Sequence, residues 1–148
     1  MRRVVAQGTF DILHPGHLHY LTEAKSRGDR LDVIVARAEN VTHKPKPIIS
    51  DHQRCEMVAA LDPVDAAHLG HTEDFFVPIR EIDPDVIVLG HDQHHDEKTL
   101  TGMLADEEIN CEVTRASARN PDTDAEVEDR DELLSAGRII TRICERRC

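Results

Sequence analysis

The chain has 148 residues and a formal net charge of -11, with 18 basic against 29 acidic side chains and only three Phe, one Tyr and no Trp. A single domain of this length buries about two-thirds of its unfolded surface, so residues 1–148 are read as one domain with a real core and no need of disulfides. No basic stripe is present to meet a nucleic acid, and no apolar run approaches the roughly 20 residues that span a bilayer, so a soluble, cytoplasmic chain acting on small molecules is expected.

Short apolar runs bounded by turn or helix signals follow one another: Val4 to Ala6, Leu31 to Ala36, Asp65 to Leu69, Val86 to Leu89 and Cys111 to Thr114. Each has the length of a buried strand. Between them lie helical patterns at about 16–27, 51–61, 74–81 and 95–107, and strands alternating with helices imply parallel strands joined by right-handed crossovers. Pro63 closes the second helix, Pro84 precedes the fourth strand, and Pro45 and Pro47 stiffen the loop after the second strand. The stretch near 117–132 is acidic and almost free of apolar side chains, which predicts a mobile loop. A last helix is expected near 131–145, packing through Leu133, Leu134, Ile139, Ile140 and Ile143. The fold class is therefore α/β: a doubly wound, Rossmann-like parallel sheet of about five strands, binding ligands at the carboxyl edge.

The acidic excess is distributed over loops and helices, and only four lysines stand beside fourteen arginines. Such a surface suits a salt-rich, halophilic cytosol, where screening over a few ångströms removes most self-repulsion. Cys55, Cys111, Cys144 and Cys148 show no C-x-x-C pair, so free thiols are the default. Cys144 and Cys148, four apart, share a face of the last helix, where a metal or a redox response is the alternative.

Chemistry concentrates in Gly8-Thr9-Phe10-Asp11-Ile12-Leu13-His14-Pro15-Gly16-His17, where the first strand gives way to the first helix. Gly8 allows a ligand to approach the backbone, and Pro15 with the free amides of a first helical turn builds an anion site. His14 and His17, three apart, point to one side and can donate to a polyphosphate whose charge shifts during displacement. The spacing alone fits a metal pair or two surface histidines as well.

Lys44 and Lys46 place half of the chain's lysines in the loop after the second strand. Ser50-Asp51-His52-Gln53-Arg54-Cys55-Glu56-Met57-Val58 opens the second helix with Ser50 or Asp51 as its cap and Arg54 within it. Leu89-Gly90-His91-Asp92-Gln93 follows the fourth strand, Val113-Thr114-Arg115 ends the fifth, and Leu134-Ser135-Ala136-Gly137-Arg138-Ile139-Ile140 leads into the last helix. His91, His94 and His95 are an alternative transition-metal cluster.

G-T-F-D-x-x-H-x-G-H resembles the signature of the cytidylyltransferase-like nucleotidylyltransferase superfamily, whose histidine pair reads H-x-G-H. The resemblance implies transfer of a nucleoside monophosphate to a phosphate-bearing acceptor, with His14 and His17 stabilising the transition state and the leaving pyrophosphate. Lys44 would act with them, and Gly8, Thr9, Phe10, Asp11, Lys46, Arg54, Asp92, Gln93 and Arg115 would contact the nucleotide. Asp11 would orient a histidine or a divalent metal, Mg²⁺ by default. Ser135, Gly137 and Arg138 would hold the triphosphate tail, although Ala136 and Gly137 replace the family's hydroxyl pair. The L-G-x-D-Q segment is similar to that of the archaeal FAD synthase branch, which implies ATP and FMN as substrates. The paucity of aromatic rings speaks against a flavin. A glycerol-3-phosphate cytidylyltransferase or related CTP-using enzyme is the alternative, and a non-catalytic nucleotide- or metal-binding protein on the same scaffold is a second. Relatives are often dimers, so a homodimer is also implied.

Overall fold

In a computed structural model of the protein, residues 1–119 and 133–148 are described. Five strands, β1 (Arg3–Gly8), β2 (Arg30–Val35), β3 (Ala66–Leu69), β4 (Val86–Leu89) and β5 (Glu112–Arg115), form one sheet in the order β3-β2-β1-β4-β5. Every pairing is parallel. The helices are α1 (Pro15–Lys25), α2 (Asp51–Ala59), α3 (Phe76–Ile82), α4 (Glu97–Asp106) and α5 (Ala136–Arg147), with a short 3₁₀ turn at Ala38–Asn40.

The double winding is written in the alternation of each strand. Val4 and Ala6 of β1, Leu31, Val33 and Val35 of β2, and Val86 and Val88 of β4 pack with Leu21 and Ala24 of α1 and Val58 of α2. The intervening Val5, Ile34, Ile87 and Leu89 face the other way, onto Ile79 and Ile82 of α3 and Leu100 and Leu104 of α4. Period-two side chains on strands buried on both faces require this two-sided cover. Truncating a wholly buried leucine such as Leu21 or Leu104 would cost about 2–5 kcal/mol through lost transfer energy and the cavity left behind.

Local signals fix the helix starts. Ser50, Asp96 and Ser135 each accept a backbone N–H of the first turn, at Gln53, Thr99 and Arg138 respectively. α3 ends at Asp83, whose φ of 55° is left-handed. The last helix begins later than the expected 131; positions 131 and 132, like most of the expected acidic loop, lie outside the described residues. Its packing also differs from expectation. No residue of α5 is buried and Ile143 is 48% exposed; Ile140, like Leu134 just before the helix, lines a cavity. Among the described residues no helix is long and apolar enough to cross a membrane.

Candidate active site

At the top of β1 the chain passes through Phe10 in a left-handed conformation, φ 53°, with its ring buried in the core beside α1. A β-carbon on Gly8 would stand 2.9 Å from that ring, so glycine there is a packing requirement. The chain then enters α1 with His14 as N-cap and Pro15 as first helical residue. His14 Nδ1 accepts from the Gly16 amide at 3.1 Å, and His17 Nδ1 accepts from the His14 amide at 3.3 Å. Two imidazoles thus perform the reciprocal capping usually done by a hydroxyl and a carboxylate. Gly16 makes the folding back possible, since a β-carbon there would meet the His14 ring at 2.9 Å. The expected free amides of α1 are consequently spent: Gly16 N on the His14 ring, and His17 N on the His14 carbonyl at 3.0 Å.

The same bonds set the tautomers. A ring nitrogen that accepts from an amide carries no proton, so each histidine keeps its proton on Nε2 and offers it outward. The rings lie 3.8 Å apart between centroids, inclined by 28°. Burial, and after it the coupling to neighbouring His14 and to the Lys44 ammonium, lowers the His17 pKa to about 3. Burial also lowers that of His14, with Asp92 opposing. Both are neutral hydrogen-bond donors at physiological pH.

They face a cavity of about 540 Å³. The β1–α1 loop lines it with Gly8, Thr9, Phe10, Asp11, His14 and His17; the loop after β2 adds Lys44 and Lys46; the loop after β4 adds Asp92 and Gln93; and the start of α5 adds Ser135 and Gly137. Twelve of the residues expected from sequence are therefore gathered around one space. First-turn amides have no partner within their own helix, so with α1 capped by imidazole it is α5 that presents a helix N-terminus to the cavity.

Several expected contacts with the nucleotide take another form. Arg54 is 1% exposed, and its guanidinium donates to the carbonyls of Ile49 (2.8 Å), Thr9 (2.9 Å) and Ala36 (2.6 Å) and to the Asp51 carboxylate. It does not face the cavity; it ties the β1 and β2 loops to α2. Arg115 is likewise turned onto the β4–α4 loop, donating to Gly90 O, Gln93 O, His95 O and Glu97. Asp11 accepts from the amides of Ile48 and Ile49 through both oxygens and so holds the lysine loop instead of a histidine. Lys46 donates to Ala38 O and Val41 O, and Lys44 is the lysine that lies within electrostatic reach of His17. Arg138 is exposed and outside the cavity lining; its amide, not its side chain, meets Ser135.

Some cavity residues carry a different role in the sequence pattern. Leu134 and Ile140 read as helix packing and Arg119 as part of an acidic loop, yet all three line the cavity, as do Gln7 and Tyr20. An arginine within an otherwise acidic stretch was the only available hint. The alternative metal cluster is not formed: the His94 ring lies tilted against His95, with centroids 4.2 Å apart, and against His43 at 4.3 Å, and among the described residues no group of three His, Cys, Asp or Glu is placed to hold an ion. Phe75 and Phe76 pack against each other away from the cavity.

A cytidylyltransferase-like family model matches residues 5–142. Curated relatives extend over the full length: a protein named FAD synthase from Natronomonas pharaonis is 70% identical over 148 residues, covering all of both chains, and one of the same name from Haloferax volcanii is 68% identical with the same coverage. Among solved structures, the lipopolysaccharide core biosynthesis protein from Thermoplasma volcanium superposes with a TM-score of 0.78 at 41% identity, covering 80% of this chain and 98% of that one. With the stacked histidine pair at the sheet's carboxyl edge and a family model spanning nearly its whole length, the chain belongs to the cytidylyltransferase-like family.

Proposed function

We propose that the protein is an FMN adenylyltransferase, joining the AMP moiety of ATP to FMN to give FAD and pyrophosphate. Full-length identity of up to 70% to proteins named FAD synthase supports the substrate pair. The observation that carries the chemistry is the pair of neutral Nε2–H donors of His14 and His17, facing a cavity that also receives Lys44 and the N-terminus of α5.

In this reading an oxygen of the FMN phosphate attacks the α-phosphorus of ATP in line. The bond from that phosphorus to the bridging oxygen breaks, and its electron pair departs on pyrophosphate. No covalent enzyme intermediate is required; the protein contributes position and charge stabilisation. His14 and His17 donate to the oxygens on which charge accumulates, and being neutral they gain strength as that charge grows. Lys44 balances the triphosphate, and the amides of Ala136 and Gly137 at the start of α5 hold its tail.

A divalent cation, Mg²⁺ by default, supplies charge neutralisation to triphosphate chemistry when bound. The described residues do not form a cage for it: both Asp11 oxygens accept amides, and no three-ligand group is present among them. Such an ion would be held mainly by the substrate's own phosphates, as is usual for Mg²⁺.

The flavin finds few flat partners. Phe10 and Tyr20 are the aromatic side chains of the lining and both are buried, so the ring system would rest on Pro45, Pro47, Ile48, Leu134 and Ile140. The test is pyrophosphate release at molar KCl with Mg²⁺, offering FMN or glycerol 3-phosphate with ATP or CTP. Turnover with FMN and ATP upholds the proposal; turnover confined to glycerol 3-phosphate and CTP replaces it with a cytidylyltransferase.

A further inference from the structure

β1 and β4 are the neighbours at which the winding of the sheet reverses, and their pairing stops early. β1 follows β2 as far as Gly8 opposite Val35, and β4 follows β5 as far as Leu89 opposite Arg115. β1 and β4 themselves are in register only from Val4 opposite Val86 to Ala6 opposite Val88. Beyond that point the two backbones diverge, and the N–H and C=O of Gln7, the C=O of Val88 and the N–H of Gly90 are left without each other.

Two side chains fill the gap. The Tyr20 hydroxyl, carried by α1, accepts from Gln7 N at 3.0 Å and donates to Val88 O at 2.5 Å. The Gln93 amide donates through Nε2 to Gln7 O at 2.6 Å and accepts through Oε1 from Gly90 N at 3.0 Å. An amide and a phenol thus stand where further ladder bonds between β1 and β4 would form. Both side chains line the cavity, together with Gly8, Thr9 and Phe10 from the end of β1 and Gly90, His91 and Asp92 from the end of β4.

We propose that Tyr20 and Gln93 are positioning residues that wedge β1 and β4 apart, setting the width of the crevice that receives the nucleoside triphosphate. The inference rests on the reading that this cavity takes a nucleotide. It departs from the sequence expectation for Gln93, because an amide engaged at both ends by backbone is not available to read a base. A buried peptide group that loses its partner seeks another. Without the wedge, Gln7 and Gly90 satisfy themselves by drawing the strands together, and the crevice narrows.

The experiment compares the wild-type protein with Gln93→Leu, Gln93→Glu and Tyr20→Phe. ATP affinity is measured by calorimetry, KM and kcat by pyrophosphate release, and the ATP to CTP preference alongside. Gln93→Glu retains the acceptor for Gly90 but loses the donor to Gln7; Gln93 is partly exposed and Tyr20→Phe keeps the buried ring, so these variants are expected to fold. Loss of one or two such hydrogen bonds predicts ATP binding weakened on the order of tenfold, KM for ATP raised in step, kcat changed by less than about threefold and base preference unaltered. The Tyr20→Phe/Gln93→Leu double variant should lose less than the product of the single losses, since both act on one gap. Unchanged ATP affinity in Gln93→Leu, or a shift in ATP to CTP preference in place of a general loss, overturns the wedge. If the wild-type protein binds ATP yet releases no pyrophosphate with FMN, the proposed acceptor fails while calorimetry still decides the wedge.

Discussion

The His17 imidazole accepts the backbone N–H of His14 at 3.3 Å while the two rings stack at 3.8 Å, so the group that holds the helix start is also the group that faces the cavity. Replacing His17 by alanine removes a preorganised donor and one half of the capping arrangement. Turnover should fall on the order of 10²–10³-fold, whereas unfolding should cost only about 0.5–2 kcal/mol less than in the wild type. Steady-state assay beside urea denaturation checks both. Near-normal turnover would remove His17 from the chemistry.

Acid should weaken the fold through the same residue. The unfolded chain protonates His17 near its ordinary 6.5, but the native state resists protonation until about 3. Between those values the unfolded state binds the extra proton, so the contribution is fully present above pH 6.5 and is lost as pH falls through the window, by at most about 1.4 kcal/mol per pH unit. Denaturation at pH 7, 5.5 and 4.5 should show this slope, and His17→Asn should flatten it.

Gly16→Ala separates activity from stability. Alanine is favoured over glycine in a helix by up to about 1 kcal/mol, yet its methyl would push the His14 ring from a position 2.9 Å away. The losses and gains nearly cancel in the fold, while the donor geometry is spoiled. A melting temperature within a few degrees of wild type together with at least a tenfold drop in kcat is the expected pair of results; undiminished kcat would show that the His14 position is not critical.

Arg54 should behave in the opposite sense, as a stability residue. Arg54→Met keeps the stem but leaves Thr9 O, Ala36 O and Ile49 O without their donor and Asp51 without its counter-ion. Breaking a buried charged network of this kind costs about 3–5 kcal/mol. Thermal unfolding should show a large loss, and calorimetry on the folded fraction at low temperature should still find ATP binding.

The order of strands and helices, the two-sided core and the histidine motif were legible because they rest on local period and local spacing. Val4, Val5 and Ala6 alternate whatever lies around them. Arg54, Arg115, Gln93 and Asp11 were legible as polar residues near the site, but their orientation was not. Each is decided by where tertiary folding leaves an unpaired carbonyl or amide: Thr9 O for Arg54, Gly90 O for Arg115, Gln7 O for Gln93, Ile48 N for Asp11. The capping of α1 by its own histidines was hidden for the same reason, since the motif reveals two imidazoles but not that one folds back over Gly16. The late start of α5 escaped notice because Leu133 and Leu134 continue its apolar pattern, while Ser135 is what caps it.

The buried guanidinium of Arg54 also bears on how an acidic protein keeps its shape in brine. Pairs such as Arg2 with Glu112 and Arg80 with Glu107 sit in solvent, where dissolved ions compete for each partner and a Debye length of about 3 Å at molar salt leaves little attraction between them. The Arg54 side chain is wholly withdrawn from water, and three of its partners are uncharged backbone carbonyls. The loops around the cavity are therefore fastened by a cation that the surrounding electrolyte does not touch, and their geometry should be the same in dilute buffer and in saturated salt, even where the outer surface of the molecule responds to the change.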